Sequence, residues 1–168
     1  LTEVTGGINM YGYGINTLEF PVLEKVRYLY IYGYKMAEVP AFESLVEAET
    51  IQLQYFSRAN TIGGFNSLQS LNYLYINSMY NWEAGTDYSV AGLETIEGFN
   101  SIETIDEFSL TSTSVSSVEG FASITESASY TYIQNNPNLC QTDAEEFADS
   151  IGVDASYLNV YGNYGPCD

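Results

Sequence analysis

The sequence has no histidine, two cysteines, one tryptophan, and four lysines and arginines set against 22 acids. Each shortage removes a class of function. Without histidine there is no Ser-His-Asp or Cys-His catalysis and no imidazole metal ligand. Two cysteines cannot build a four-cysteine zinc site. A net charge of −18 repels phosphate backbones and anionic lipid, so no nucleic acid or membrane surface is expected as a partner. No run of 18 apolar residues occurs, so no membrane insertion is expected. No cofactor is expected, and no metal, because neither a DxDxDG calcium loop nor a GGxGxDxUx repeat is present. Carboxylates are the only plentiful catalytic group, which leaves glycoside hydrolysis as the enzyme class to weigh. Glu94, Glu97, Glu103, Asp106 and Glu107 cluster in sequence, but they fall on turns and edges of the repeat described next. They read as a solvated acidic flank, and the chain reads as no enzyme.

What is abundant is apolar and aromatic residues. The 168 residues are 45% hydrophobic and 15% aromatic, with 16 tyrosines, enough for one folded domain over 1–168. The dominant signal is a degenerate repeat of 22–23 residues. Residues 23–44 and 102–123 both carry apolar residues at offsets 0, 3, 6, 8, 13, 16 and 19. In the first copy these are Leu23, Val26, Leu29, Ile31, Met36, Val39 and Phe42. The segments from Leu45 and Leu68 follow the same pattern, and the second is interrupted by an insertion over 77–92. Residues 1–21 are a shifted copy with Val4, Ile8, Met10, Ile15, Leu18 and Phe20. Offsets 6 and 8 alternate as a strand does, with both side chains inward; the three-spaced offsets are expected on turns. One such coil cannot bury its apolar face alone, but stacked coils can. The expected fold is all-β: a parallel β-solenoid of about six coils over 1–133, closed by a cap over 134–168.

In that cap, Ala144, Phe147, Ala148 and Ile151 fall at i, i+3, i+4 and i+7 of a short helix. Thr142 and Glu145 fit a capping box, and Gly152 fits a helix stop. Residues 157–163 (YLNVYGN) read as a last strand. Cys140 and Cys167 are either two unpaired thiols or, in an oxidising compartment, a disulfide contributing roughly 3–4 kcal/mol in the chain-entropy model. The chain opens at Leu1, and the sequence reads as a mature secreted protein, extracellular or on a bacterial cell surface.

Coils of this length, the NNPNLC turn, the short helix and the final YGNYGPCD resemble receptor L-domain-type leucine-rich repeat proteins, in particular their secreted bacterial members. The resemblance spans nearly the whole chain. It implies a right-handed solenoid, a role in extracellular recognition or surface display, terminal cysteines matching Cys140 and Cys167, and no catalytic residues.

Three features are candidates for function. Outward strand positions should stack into columns: Tyr28, Thr50, Tyr73, Glu107; Tyr30, Gln52, Tyr75, Ser109, with Tyr132 next after a one-residue shift; and Tyr32, Gln54, Asn77, Thr111. Such a face is either a stabilising ladder or a binding surface for glycan or protein. The insertion holds Tyr80, Trp82 and Tyr88, which suit an adaptable binding loop or a cover for the flank. The third feature is the pair of ends. All four cations lie in residues 1–58 with seven acids, while the remainder carries fifteen acids. Unlike ends favour head-to-tail assembly, with Leu1, Val4, Ile8 and Met10 meeting Tyr157, Leu158, Val160 and Tyr161 of a second copy. The alternative is a cleavage boundary at Leu1, with a cap or further domain upstream. Self-assembly into an extracellular filament or surface layer is the first functional expectation. A monomeric adhesion module using the tyrosine columns and the Trp82 loop is the second.

Overall fold

The structure is a computed structural model, which describes residues 1–12, 19–34, 36–56, 58–77 and 93–167. In chain order its strands are β1 (Glu3–Tyr11), β2 (Lys25–Tyr32), β3 (Glu47–Gln54), β4 (Thr61–Ile62), β5 (Ser70–Asn77), β6 (Thr95–Ile96), β7 (Thr104–Ile105), β8 (Glu107–Thr111), β9 (Glu126–Ser127), β10 (Thr131–Gln134) and β11 (Leu158–Tyr161). The one α-helix among the described residues, α1 (Gln141–Ser150), lies between β10 and β11. Strands form where β-branched and aromatic residues alternate with polar ones, as in the KVRYLYIY of β2.

Seven of these strands form a single parallel sheet in the order β1-β2-β3-β5-β8-β10-β11. Each strand pairs with the next one in the chain, skipping only the two-residue strands. The register matches the sequence repeat: Leu29 pairs with Ile51, Ile51 with Leu74, Leu74 with Phe108 and Phe108 with Thr131. The short strands make two small parallel pairs, β4 with β6 and β7 with β9. Among the described residues no helix is long and apolar enough to cross a membrane.

The three-spaced apolar positions are not all on turns, as the repeat pattern had suggested. Val26 lies inside β2, and Ile62, Ile96 and Ile105 lie on the two-residue strands. The reason is visible in β2, where Val26 and Leu29 are buried while both Arg27 and Tyr28 face outward. Two successive outward residues turn the strand through a corner, and the inward spacing becomes three instead of two.

The inward columns merge into one continuous apolar cluster running from Met10 to Ile151. Its spine is a stack of five rings, Phe20, Phe42, Phe65, Phe99 and Phe121, with successive centroids 4.9, 5.4, 5.0 and 5.7 Å apart. The recurring Gly-Phe pairs have a steric cause. A Cβ on Gly120 would lie 2.1 Å from the Ile96 carbonyl oxygen, so only a bare backbone lets adjacent repeats approach this closely. A second recurring device follows the strands. Tyr55, Ser112, Asn135 and Gly162 each come directly after a strand end and have positive φ (61°, 55°, 56° and 74°). That left-handed step turns the following residue inward, and Phe56, Thr113, Asn136 and Asn163 are all buried.

At the end of the chain, α1 buries Ala144, Phe147 and Ala148, with Ile151 buried just beyond it, and Phe147 packs edge-on against Phe108. The expected capping box at Thr142 and Glu145 does not form. The helix starts earlier, with Cys140 as its N-cap and no side-chain cap, so Thr142 falls inside the first turn. Glu145 instead accepts from Gln141 Nε2 at 2.7 Å. Gly152 does follow the helix, with φ at +71°. Cys140 and Cys167 are joined in a disulfide, with Cα atoms 5.0 Å apart.

Candidate functional site

Two regions carry candidate residues: the outward face of the large sheet and its two edges. On the face, strand pairing aligns Asn9, Tyr30, Gln52, Tyr75, Ser109, Tyr132 and Asn159 in one column. A second column runs Tyr11, Tyr32, Gln54, Asn77, Thr111, Gln134 and Tyr161. A third places Tyr28, Thr50, Tyr73 and Glu107 together. Tyr132 joins the Tyr30 column through ordinary parallel pairing with Ser109.

The tyrosine rings lie against one another, which leaves Tyr28, Tyr30, Tyr32, Tyr73, Tyr75 and Tyr132 half-buried and Tyr11 and Tyr130 exposed. Tyr28 stacks on Tyr30 at 6.1 Å, Tyr73 on Tyr75 at 6.5 Å, and Tyr130 on Tyr132 at 5.9 Å. In the next column Tyr11 stacks on Tyr32 at 4.9 Å with only 4° between planes, and Tyr32 also stacks on Tyr55, just past the end of β3, at 6.1 Å. Partial burial, with the Glu107 carboxylate beside it, pushes the Tyr75 phenol up to about 12. Burial also raises the Tyr32 phenol, with Tyr11 and Tyr55 adding to it. Both phenols therefore stay uncharged at neutral pH, with Glu107 as the acidic side chain of the face. Its corner carries the ion pairs Lys25–Glu47 and Arg27–Glu49, with the Arg27 guanidinium 4.8 Å from the Tyr28 ring centre. These pairs are exposed and add little stability, but they neutralise both cations of β2.

The edges are β1 and β11. On β1, Val4 and Ile8 are half-buried, Met10 is buried and Tyr11 is exposed. On β11, Leu158 and Val160 are half-buried and Tyr161 is exposed, with exposed Tyr157 just before it. Leu1 is 86% exposed. Among the described residues, the exposed large apolar and aromatic side chains fall within residues 1–22 (Leu1, Tyr11, Val22) and 130–164 (Tyr130, Tyr157, Tyr161, Tyr164). None lies in the middle repeats. Tyr80, Trp82 and Tyr88, the insertion candidates, lie outside the described residues.

One polar constellation escaped the sequence reading. Asn136 Oδ1 accepts from the N–H and the hydroxyl of Thr113, at 2.9 and 2.8 Å, and Asn136 Nδ2 donates to Leu110 O. Asn163 repeats the pattern one strand on. Its Oδ1 accepts from Asn136 N and Nδ2, and its Nδ2 donates to Ile133 O. Gln141 then completes the series from α1, with its Oε1 accepting from Asn163 and its Nε2 donating to Val160 O at 3.0 Å. The signal available in the sequence was the recurrence of a small polar residue just after the strand in the last three repeats (Thr113, Asn136, Asn163). Among the described residues no group of three or more acidic or cysteine side chains converges as a metal site. Comparison with protein-family models, curated proteins and solved structures gives no match for this chain.

Proposed function

We propose that this chain is a right-handed parallel β-solenoid of about six coils that works as a secreted, non-catalytic structural module, associating end to end into an extracellular filament or surface layer. The observation that carries this reading is where the exposed large side chains lie. Among the described residues, Leu1, Tyr11 and Val22 are exposed toward one end of the chain and Tyr157, Tyr161 and Tyr164 toward the other, while the large apolar and aromatic side chains of the middle repeats are buried or half-buried. Both ends also present the edge of an all-parallel sheet, a natural template for another strand. An end-to-end contact of this kind is heterologous and propagates instead of closing. Main-chain pairing supplies its affinity, so it needs no ligand and no catalytic group. A disulfide-bonded, strongly acidic chain suits an oxidising, extracellular setting.

The test is electron microscopy and sedimentation of the untagged protein at neutral pH. Fibres with a subunit repeat of about 34 Å, seven strand spacings of ~4.8 Å, are expected. Removal of residues 1–21 should abolish them. A protein that stays monomeric at millimolar concentration overturns the reading.

A second reading rests on the stacked pairs Tyr28–Tyr30 and Tyr73–Tyr75. They form an uncharged aromatic platform that suits a sugar ring or a protein surface. Substituting Tyr30 and Tyr75 by Ala should abolish binding to a glycan array without altering sedimentation; array binding that survives the substitutions removes this reading.

A further inference from the structure

We propose that the end-to-end contact has one register, with β11 of one copy pairing in parallel with β1 of the next so that Asn159 faces Asn9 and Tyr161 faces Tyr11. The proposal rests on the end-to-end reading above and specifies its junction. Its basis is that two of the three outward columns begin and end on the same residue type. The Tyr30 column starts at Asn9 and finishes at Asn159; its neighbour starts at Tyr11 and finishes at Tyr161. On the inward side the same register sets Leu158 on Ile8 and Val160 on Met10, apolar on apolar. Tyr11 and Tyr161 are exposed to the same degree, 55% and 53%. Tyr11 already stacks flat on Tyr32 at 4.9 Å, and Tyr161 would take the equivalent place on its other side.

The main chain agrees with this register. Gly12 N–H donates to Tyr32 O, so alternation along the strand turns the N–H and C=O of Asn9 and Tyr11 away from β2. Asn135 N–H donates to Tyr161 O, so the same groups of Leu158 and Val160 face away from β10. In the proposed register Val160 N–H meets Asn9 O, and Tyr11 N–H meets Val160 O. The Gln141 amide already on Val160 O does not prevent this. Leu110 O and Ile133 O each take an asparagine amide while their strands remain paired. A slip of one residue would put the Asn159 and Tyr161 side chains on the apolar side. A slip of two would break both like-on-like pairs.

The test is paired cysteines in the full chain under mild oxidation. Asn9→Cys with Asn159→Cys should link subunits into covalent oligomers at least tenfold faster than the offset pair Asn9→Cys with Tyr161→Cys. Recovery of the intact Cys140–Cys167 peptide by mass spectrometry checks the fold of each variant. A second variant set needs no new thiol: Tyr11→Glu should dissolve the assembly, and adding Tyr161→Lys should restore it where Tyr164→Lys does not. Fibres that form with equal linking of the two cysteine pairs, or with no difference between the two lysine variants, overturn the register while leaving end-to-end association standing. Absence of oligomers from the unmodified chain overturns both.

Discussion

Asn136 and Asn163 are joined amide to amide, Nδ2 to Oδ1 across 3.0 Å, with both side chains buried. This link ties the last two repeats together through side chains as well as strands. It also saturates two groups that would otherwise be stranded in the core, the Thr113 N–H and hydroxyl, and adds a second donor to the Leu110 carbonyl. The amide ladder is finished by Gln141, which stands where a further asparagine would be needed.

Replacing Asn136 by Ala should therefore be severe. Each buried polar group left without a partner costs about 1–3 kcal/mol, and the substitution strands the Thr113 N–H and hydroxyl. The expected loss is at least about 2 kcal/mol, read as a lower urea midpoint with an unchanged slope. Asn66, exposed and with its side-chain amide donating to the exposed Glu43, is the control, and its change to Ala should cost no more than about 0.5 kcal/mol. Equal effects at the two sites would remove the ladder from the account of stability.

The glycines divide just as sharply. Gly120→Ala puts a methyl group 2.1 Å from a backbone oxygen of the neighbouring repeat, while Gly63→Ala meets nothing within 4 Å. Backbone cannot rotate away as a side chain can, so Gly120→Ala should cost about 1–3 kcal/mol. Gly63→Ala should be neutral or gain about 0.4–1 kcal/mol from the stiffer unfolded chain. Thermal unfolding of both variants decides between this steric account and a general need for flexible residues in the turns.

Much of this architecture was legible in the sequence because the repeat is long-range and physical. Leu29 and Ile31 had to face inward in every copy, and the stacking of Tyr30 on Gln52 and Tyr75 followed from their spacing. The helix face of Ala144, Phe147 and Ala148 was equally plain. What was hidden depends on three-dimensional neighbours. The bend at Arg27 and Tyr28 looks like a turn when only Val26 and Leu29 are counted. The Asn136–Asn163 ladder hides because one member follows a left-handed asparagine and the other a left-handed glycine. Its Gln141 terminus sits on a different element altogether. The helix start at Gln141 was obscured because Thr142 mimics a capping residue while Cys140, held by Cys167, sets the boundary.

Alkaline titration should destabilise the fold through Tyr75. Its phenol is raised from 10.0 to about 12 by burial and by Glu107. Between those values the folded chain holds a proton that the unfolded chain has released. Stability from this group is thus fully present below pH 10 and is lost as pH rises through about 12. Tyr75→Phe, which keeps the ring and its stacking on Tyr73 but has no proton to release, should lose stability less steeply than the parent over that window. The same alkaline slope in both proteins would assign the effect to other tyrosines.

Ionic strength gives the last prediction, because the proposed junction joins two molecules that each carry a net charge of −18. Its four facing positions on each strand, Ile8 to Tyr11 against Leu158 to Tyr161, are all uncharged. No ion pair across these positions holds the ends together, and the long-range field opposes their approach. Raising salt from 10 to 150 mM shortens the screening length from roughly 30 Å to about 8 Å, which removes most of that repulsion. Hydrogen bonds and apolar contact at the junction are far less affected. Association should strengthen with salt, seen as a fall in the critical concentration by light scattering. Lowering the pH toward the sequence pI of about 4.1 should act in the same direction. Assembly that weakens with added salt would mean that opposite charges make the contact, and would place it away from β1 and β11.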